Sequence, residues 1–271
     1  KYGRLISSSL KSAGISCRFM RIADTEKSKS LATASGVLSD LAQYDKRKSI
    51  FIVALGGGVV GDLAGFVAAV YKRGIPYIQV PTTLLAQLDS SIGGKTAVDL
   101  PSGKNLVGAF YQPRAVIADI SVLASLDRRQ IRQGMAEAIK YALIRDRGLF
   151  LYIEKNIKRL LLGDLAALSF VVSRCCRIKA DIVSRDEREE KSLRTLLNFG
   201  HTIGHAIEAS TGYERFGHGE AVGLGMLIAA DISRQMKMLD RQSQDRIKRL
   251  IRSAGLPADL SGLSMRKIIS V

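Results

Sequence analysis

The most constraining feature of this chain is a run of β-branched apolar residues that ends in glycine. Ser49-Ile50-Phe51-Ile52-Val53-Ala54-Leu55 leads directly into Gly56-Gly57-Gly58-Val59-Val60-Gly61-Asp62. The run reads as a buried strand and the residues beyond it as a helix. Gly56, Gly58 and Gly61 satisfy G-x-G-x-x-G between a strand and a helix, the context that gives the pattern meaning. There the glycines permit a tight turn, and the N–H groups at the helix start face a pyrophosphate. A glycine-rich turn with no ligand satisfies the same spacing. The acid that commonly ends the next strand is absent, because Gln79-Val80-Pro81-Thr82-Thr83 stands there. Glu26, after an earlier strand, is the candidate replacement.

Around that turn, strands and helices alternate. Ile15–Ile22, Ser49–Leu55, Pro76–Val80 and Ala115–Ile120 read as strands. Helical patterns lie at about 4–13, 29–44 and 59–72. Alternation of this kind predicts a parallel sheet. Beyond residue 120 the pattern is helical almost throughout, with Gly212, Gly255 and Pro257 as stops. The expected architecture is a Rossmann-like α/β domain over 1–120, followed by an all-α domain over 121–271. The first strand of such an α/β unit is expected to precede the helix at 4–13.

Composition narrows the class. Apolar residues make up 46% and charged residues 24% of 271, which excludes disordered and collagen-like chains. The most apolar stretch, Ser49 to Val70, carries Asp62 and a run of glycines and is no membrane span. No basic-then-apolar leader opens the sequence. Cys17, Cys175 and Cys176 are odd in number and form no CxxC pair, which suits a reducing compartment. Lys and Arg total 41 against 25 Asp and Glu, a net charge of +16. That balance suits nucleic acid, a membrane surface or anionic metabolites, and cannot choose among them.

Chemistry concentrates in two places. All three histidines fall between 201 and 218. His201 and His205 share a helical face at i,i+4, and His218 opens another helix in Gly217-His218-Gly219-Glu220. Thr202 stands where a zincin has glutamate, so HExxH is not met. A catalytic divalent metal wants three protein ligands, commonly with a carboxylate among them. Glu208, Glu220 and Glu137 are candidates, the last an acid in the small, apolar run Gly134-Met135-Ala136-Glu137-Ala138-Ile139-Lys140. The second concentration is Asp89-Ser90-Ser91-Ile92-Gly93-Gly94-Lys95 and Gly103-Lys104-Asn105, joined later by Lys179 and Arg194. Lys95 and Lys104 sit among glycines, where backbone can approach a phosphate or carboxylate. The Walker pattern is not met, since Asp89 stands where its first glycine would be.

Together these segments resemble the 3-dehydroquinate synthase family of sugar phosphate cyclases. Those that carry the resemblance are Gly56–Asp62, Tyr71-Lys72-Arg73-Gly74, Pro81-Thr82-Thr83-Leu84-Leu85-Ala86, Asp89–Lys95, Gly103-Lys104-Asn105, Gly134–Lys140, Asn198–His205 and Gly217–Glu220. They run through most of the chain in the family's order. The resemblance implies a reaction in which a seven-carbon keto-sugar acid phosphate becomes 3-dehydroquinate and phosphate, in the shikimate route to aromatic amino acids. It implies NAD and one divalent metal, zinc or possibly cobalt, a cytoplasmic homodimer, and no specific nucleic acid or membrane partner. Glu137, His201 and His218 would then be the metal ligands. NAD would contact Asp24, Glu26, Lys29, Gly58, Val59, Val60, Gly61, Asp62, Thr82, Thr83, Lys95, Lys104, Val122 and Ser125. Asp89, Lys140, Lys179, Arg194, Asn105, Asn198 and His205 would line the substrate site. Arg73 would reach the substrate phosphate of a neighbouring subunit.

The chain departs from the family pattern at Thr25, Ser125 and Lys72, where Gly, Thr and Met are usual. Either Glu189 or Glu190 matches the family's site glutamate. The family's phosphate-binding lysine beyond Met265-Arg266-Lys267 has no counterpart before Val271, so a form ending there is expected to be about one to two orders of magnitude slower. Three other readings compete: a basic nucleic-acid binder, a metal-dependent NAD polyol dehydrogenase of the same fold, and a catalytically impaired fragment. The first explains the charge but neither the glycine turn nor the histidine cluster.

Overall fold

The computed structural model describes residues 2–46, 49–212, 214–259 and 263–270. The chain divides into two compact units, Lys1–Pro81 with Gly94–Ile117, and Thr82–Gly93 with Ala118–Val271. The segment Thr82–Gly93 groups with the helical unit, although the sequence reading places it in the first domain.

The first unit is α/β. Helices α1 (Tyr2–Ser12) and α2 (Leu31–Asp45) precede strand β1 (Ile52–Gly56), helix α3 (Gly58–Val70) and strand β2 (Tyr77–Pro81). Strands β3 (Lys95–Leu100) and β4 (Gly103–Phe110) form an antiparallel hairpin, and β5 (Ala115–Val116) completes the unit. The sheet is parallel in the order β1-β2-β5, with Ile52 opposite Tyr77 and Ile78 opposite Ala115. Helix α3 packs Leu63, Phe66 and Val67 into a core with Ala34, Leu41 and Val98. The hairpin sits close against α3, because a Cβ at Gly65 would stand 2.4 Å from Thr96 Cγ2.

Two findings depart from the sequence reading. The hairpin at 95–110 was not expected, since its glycines and lysines have low strand propensity. Conversely, Ile15–Ile22 belongs to no strand. A strand needs a hydrogen-bonding neighbour as well as the right side chains. Here a cavity of about 1040 Å³, lined in part by Met20, Ile22, Ile52 and Leu63, lies beside the segment.

The second unit is helical, with no strand among its described residues. It comprises α4 (Arg128–Arg145), α5 (Arg147–Leu161), α6 (Leu165–Arg185), α7 (His201–Ser210), α8 (His218–Gln235), α9 (Arg241–Ser253) and α10 (Met265–Ile269). Aspartates at 127, 146, 164 and 240 cap α4, α5, α6 and α9, each accepting a backbone N–H from the first turn. Among the described residues, no helix is long and apolar enough to cross a membrane.

Candidate active site

In the helical unit, small residues let three helices approach closely enough for their polar groups to meet. A Cβ on Gly225 of α8 would stand 2.0 Å from the carbonyl oxygen of Gly200, at the start of α7. A Cβ on Gly219 would stand 2.3 Å from the carbonyl oxygen of Gln133 on α4. The Gln133 side chain also accepts from the Gly219 N–H at 2.5 Å, tying α4 to the N-terminus of α8.

Glu137, His201 and His218 converge at this junction. His201 Nε2 lies 3.3 Å and His218 Nε2 3.5 Å from Glu137 Oε1. Lys140, one turn along α4, pairs with the other Glu137 oxygen. Glu137 is fully buried, and neither of its oxygens has a well-aligned hydrogen bond. Burial alone would raise its carboxyl, but Lys140 and the two imidazoles outweigh that and hold it well below the usual range. Burial likewise lowers His218, yet the Glu137 and Glu208 carboxylates beside its ring nitrogens push it up to about 10. One ligand atom from each of Glu137, His201 and His218 can be chosen so that all lie within 4.8 Å of one another. A buried carboxylate beside two imidazoles suits a divalent transition metal. His205, exposed on α7, flanks the cluster with its ring centroid 5.4 Å from that of His201.

A second cluster adjoins the first. Ala86–Ser90 forms a widened π-type turn, and the Ser91 N–H reaches the Ala86 carbonyl at 3.2 Å. Such turns recur at functional sites, and this one presents Asp89. Lys179 of α6 donates to Asp89 Oδ1 at 2.5 Å and to its backbone carbonyl at 2.9 Å. Tyr141 of α4, fully buried, donates its hydroxyl to the same Oδ1 at 2.5 Å. Burial opposes ionisation of Asp89, but Lys179 and Lys140 bring it down to about 2. Burial also works against charge on Lys140, yet Glu137 and Asp89 raise it, so the ammonium persists at neutral pH.

Arg194 completes this side of the site. It is buried and donates from Nη1 to the Glu187 carbonyl at 2.7 Å. Its Nε lies 3.4 Å from Glu189 Oε1, so of the two acids left open by the sequence, Glu189 is the one against Arg194. Gly93 makes room for this group: its φ is +106°, and a Cβ there would meet Arg194 Nη2 at 3.0 Å. Asn198 ends a short 3₁₀ turn and is exposed. Thr82 and Thr83 lead into the π-type turn, and Thr83 Oγ1 caps the Ala86 N–H at 3.2 Å. Val122 and Ser125 lie in the 3₁₀ turn Ile120–Ser125, where Ser125 Oγ donates to the Val122 carbonyl at 2.8 Å.

In the α/β unit, β1 ends at Gly56 and α3 begins at Gly58, as the motif requires. The N-cap, Gly57, offers no side chain to the first N–H groups of α3. That is the anion-accepting helix start on which the sequence argument rests. A Cβ at Gly61 would meet the Gln79 amide at 2.6 Å, so this glycine seats the helix on β2. Lys29, buried, donates to Asp62 Oδ2 at 2.5 Å and makes a short bond to Asn105 Oδ1. Asp99 holds Asn105 in place by accepting its backbone N–H at 2.8 Å. Asn105 therefore stands with the cofactor-binding candidates of this unit. Asp24 and Glu26 are exposed near Lys29, and Lys95 and Lys104 begin and follow the first residues of β3 and β4. Arg73 is exposed on a turn in which Lys72, Arg73 and Gly74 all have positive φ. Tyr71 and Lys72 both bond Asp45, which pins the turn beside Arg73.

Tyr141 escaped the sequence reading, although its i,i+4 spacing from Glu137 places both on one face of α4.

Known proteins resemble this chain in sequence and in fold. Sequence models of the 3-dehydroquinate synthase N-terminal and C-terminal regions match residues 19–133 and 134–271. A 3-dehydroquinate synthase of Pelotomaculum thermopropionicum is 54% identical over 259 residues, covering 94% of this chain and 69% of that protein. A 2-epi-5-epi-valiolone synthase of Streptomyces hygroscopicus subsp. jinggangensis 5008, solved with NAD+ and Zn2+ bound, is 26% identical with a TM-score of 0.91. The match covers 99% of this chain and 75% of that one. A 2-deoxy-scyllo-inosose synthase, complexed with carbaglucose-6-phosphate, NAD+ and Co2+, is 32% identical with a TM-score of 0.88. That match covers 99% of this chain and 73% of its own. With both regions matched in order and more than half of the aligned residues shared with a curated relative, the chain belongs to the 3-dehydroquinate synthase family.

Proposed function

We propose that this chain is a lyase that converts a seven-carbon keto-sugar acid phosphate to 3-dehydroquinate and inorganic phosphate. The observation that carries the reading is the convergence of Glu137, His201 and His218 beside Lys140, Lys179 and Arg194, in a chain whose other unit bears the glycine turn. Glu137, His201 and His218 would hold the metal, and the start of α3 with Lys29 and Asp62 would hold NAD. When bound, NAD supplies a transient hydride acceptor and the divalent ion polarises the oxygen that is oxidised.

The chain's own residues do the rest. Lys179 and Arg194 are buried cations that bind the substrate's anionic groups and fix their orientation. Lys140 remains charged and adds positive potential where negative charge develops. Asp89, ionised down to about 2, accepts hydrogen bonds from substrate hydroxyls and is too weak a base to store a proton at neutral pH. His205, exposed at the edge of the cluster, is then the better candidate to move protons to and from the leaving phosphate. Asn198 would add a polar contact to substrate. Thr82, Thr83, Lys95, Lys104, Val122 and Ser125 would complete the cofactor contacts, with Asp24 and Glu26 on its ribose. The protein would act in the cytoplasm as a homodimer, Arg73 of each subunit reaching the other's substrate phosphate. Most of the +16 charge would be dispersed, with Lys95, Lys104, Lys140, Lys179 and Arg194 serving the anionic ligands and no sequence-specific nucleic-acid partner.

The test is redox bookkeeping. Incubated with substrate, zinc and catalytic NAD, the protein should release phosphate while absorbance from NADH stays flat. NADH rising in step with product would identify a polyol dehydrogenase instead.

A further inference from the structure

The sequence leaves three carboxylates as possible partners for the histidines, and the structure separates their positions. Glu137 sits against His201 and His218 Nε2. Glu220 accepts the Gly217 N–H at 2.7 Å and so caps α8. Glu208, buried on α7, places Oε2 3.5 Å from Nδ1 of His218. His218 thus has one carboxylate at each ring nitrogen.

We infer that Glu208 is a positioning residue that holds His218 as a metal ligand by accepting the hydrogen bond of its Nδ1 N–H; this rests on the metal-site reading above. A neutral imidazole has one N–H and one lone pair. An acceptor at Nδ1 assigns the N–H to that side and turns the Nε2 lone pair toward Glu137 and His201. The Nε2 lone pair is then the group that His218 would offer a metal. A carboxylate behind a ligating histidine fixes ring orientation and raises ligand basicity. Packing holds the pair together. Glu208 lies two turns along α7 from His201, and α7 is pressed onto α8 where Gly225 meets Gly200. His205, Glu208 and His218 also present ligand atoms within 4.8 Å of one another, so a direct-ligand role for Glu208 is the rival.

Metal affinity and the cobalt spectrum discriminate between the two. The full chain, stripped and titrated with zinc against a chelating indicator, should bind one ion. Glu208→Ala should weaken that binding by about 10–100-fold. Glu208→Gln keeps an oxygen acceptor for the N–H and should lose only a few-fold. Glu208→Asp withdraws the carboxylate by one methylene and should fall between them, which gives a reading if the alanine variant fails to fold. At saturating cobalt, all folded variants should keep the wild-type visible absorption band, because the ligand set is unchanged. Wild-type zinc affinity in both the alanine and aspartate variants would overturn the inference. So would a glutamine variant that loses as much as His218→Ala and shifts the cobalt band, since Glu208 would then be a ligand. Wild-type protein that binds no stoichiometric zinc or cobalt would overturn the metal-site reading itself, and this inference with it.

Discussion

Replacing Lys140 by methionine tests whether the Glu137 carboxylate is built to face a cation. The two side chains are 2% and 0% exposed and pair across one turn of α4. Removing one member of a buried pair costs about 3–5 kcal/mol, because the remaining charge stays desolvated. His218, pushed up to about 10 and with Nε2 3.5 Å from Glu137 Oε1, softens the loss. The expected cost in metal-free protein therefore lies at the low end, about 3 kcal/mol. For a chain of this size that lowers the thermal midpoint by roughly 6–12 °C. A divalent ion on the same carboxylate replaces the missing charge, so zinc should raise the midpoint of Lys140→Met more than that of wild type. Calorimetry of both proteins, in chelator and in zinc, reads the four midpoints. If the variant in chelator melts within about 2 °C of wild type, Glu137 is not a desolvated charge and the reasoning fails. Equal stabilisation of both proteins by zinc would show that lysine and metal do not share the carboxylate.

Two further outcomes follow from the Asp89 cluster. Gly93→Ala forces a side chain into φ +106°, with its Cβ 3.0 Å from Arg194 Nη2 and 3.3 Å from Val183 Cγ2. Strain of that kind costs about 1–3 kcal/mol, so urea unfolding should shift accordingly and turnover should fall as Arg194 moves; unchanged stability would refute the steric account. Asp89, held at about 2 against an ordinary 3.8 by Lys179 and Lys140 in spite of burial, contributes stability that is fully present above pH 3.8 and lost as pH falls toward 2. A shift of that size amounts to about 2 kcal/mol. Acid titration of Asp89→Asn should show a shallower loss over that window, and an identical slope would mean that the lysines do not hold this carboxylate.

Much of the molecule was legible because it is encoded over short distances. The strand at Ile52–Gly56 and the helix from Gly58 follow from a β-branched run, a glycine turn and a 3.6-residue period. The histidine cluster was legible because its members lie within eighteen residues of one another. Ile15–Ile22 carries the same local signal as Ile52–Gly56 and yet is no strand, because a ladder needs a neighbour and local composition does not provide one. The hairpin at 95–110 is the converse: weak local propensity is overridden by pairing of Lys95 with Phe110 and by packing on α3.

The sequence by itself determined the chemistry available: three histidines, isolated acids in helices, lysines among glycines, and a helix start open to an anion. Tertiary structure alone decided which of those groups face each other. Glu137, Glu208 and Glu220 are all glutamates on helices, and nothing local distinguishes a carboxylate facing two imidazoles from one behind an imidazole or one capping a backbone N–H. The distinction arises where Gly200, Gly219 and Gly225 let α4, α7 and α8 approach, bringing together residues that begin more than sixty positions apart. It arises again where Lys29 meets Asp62 and Asn105. Hydrogen bonds and ion pairs act over about 3 Å, so their partners are set by the packing of whole elements and not by spacing along the chain.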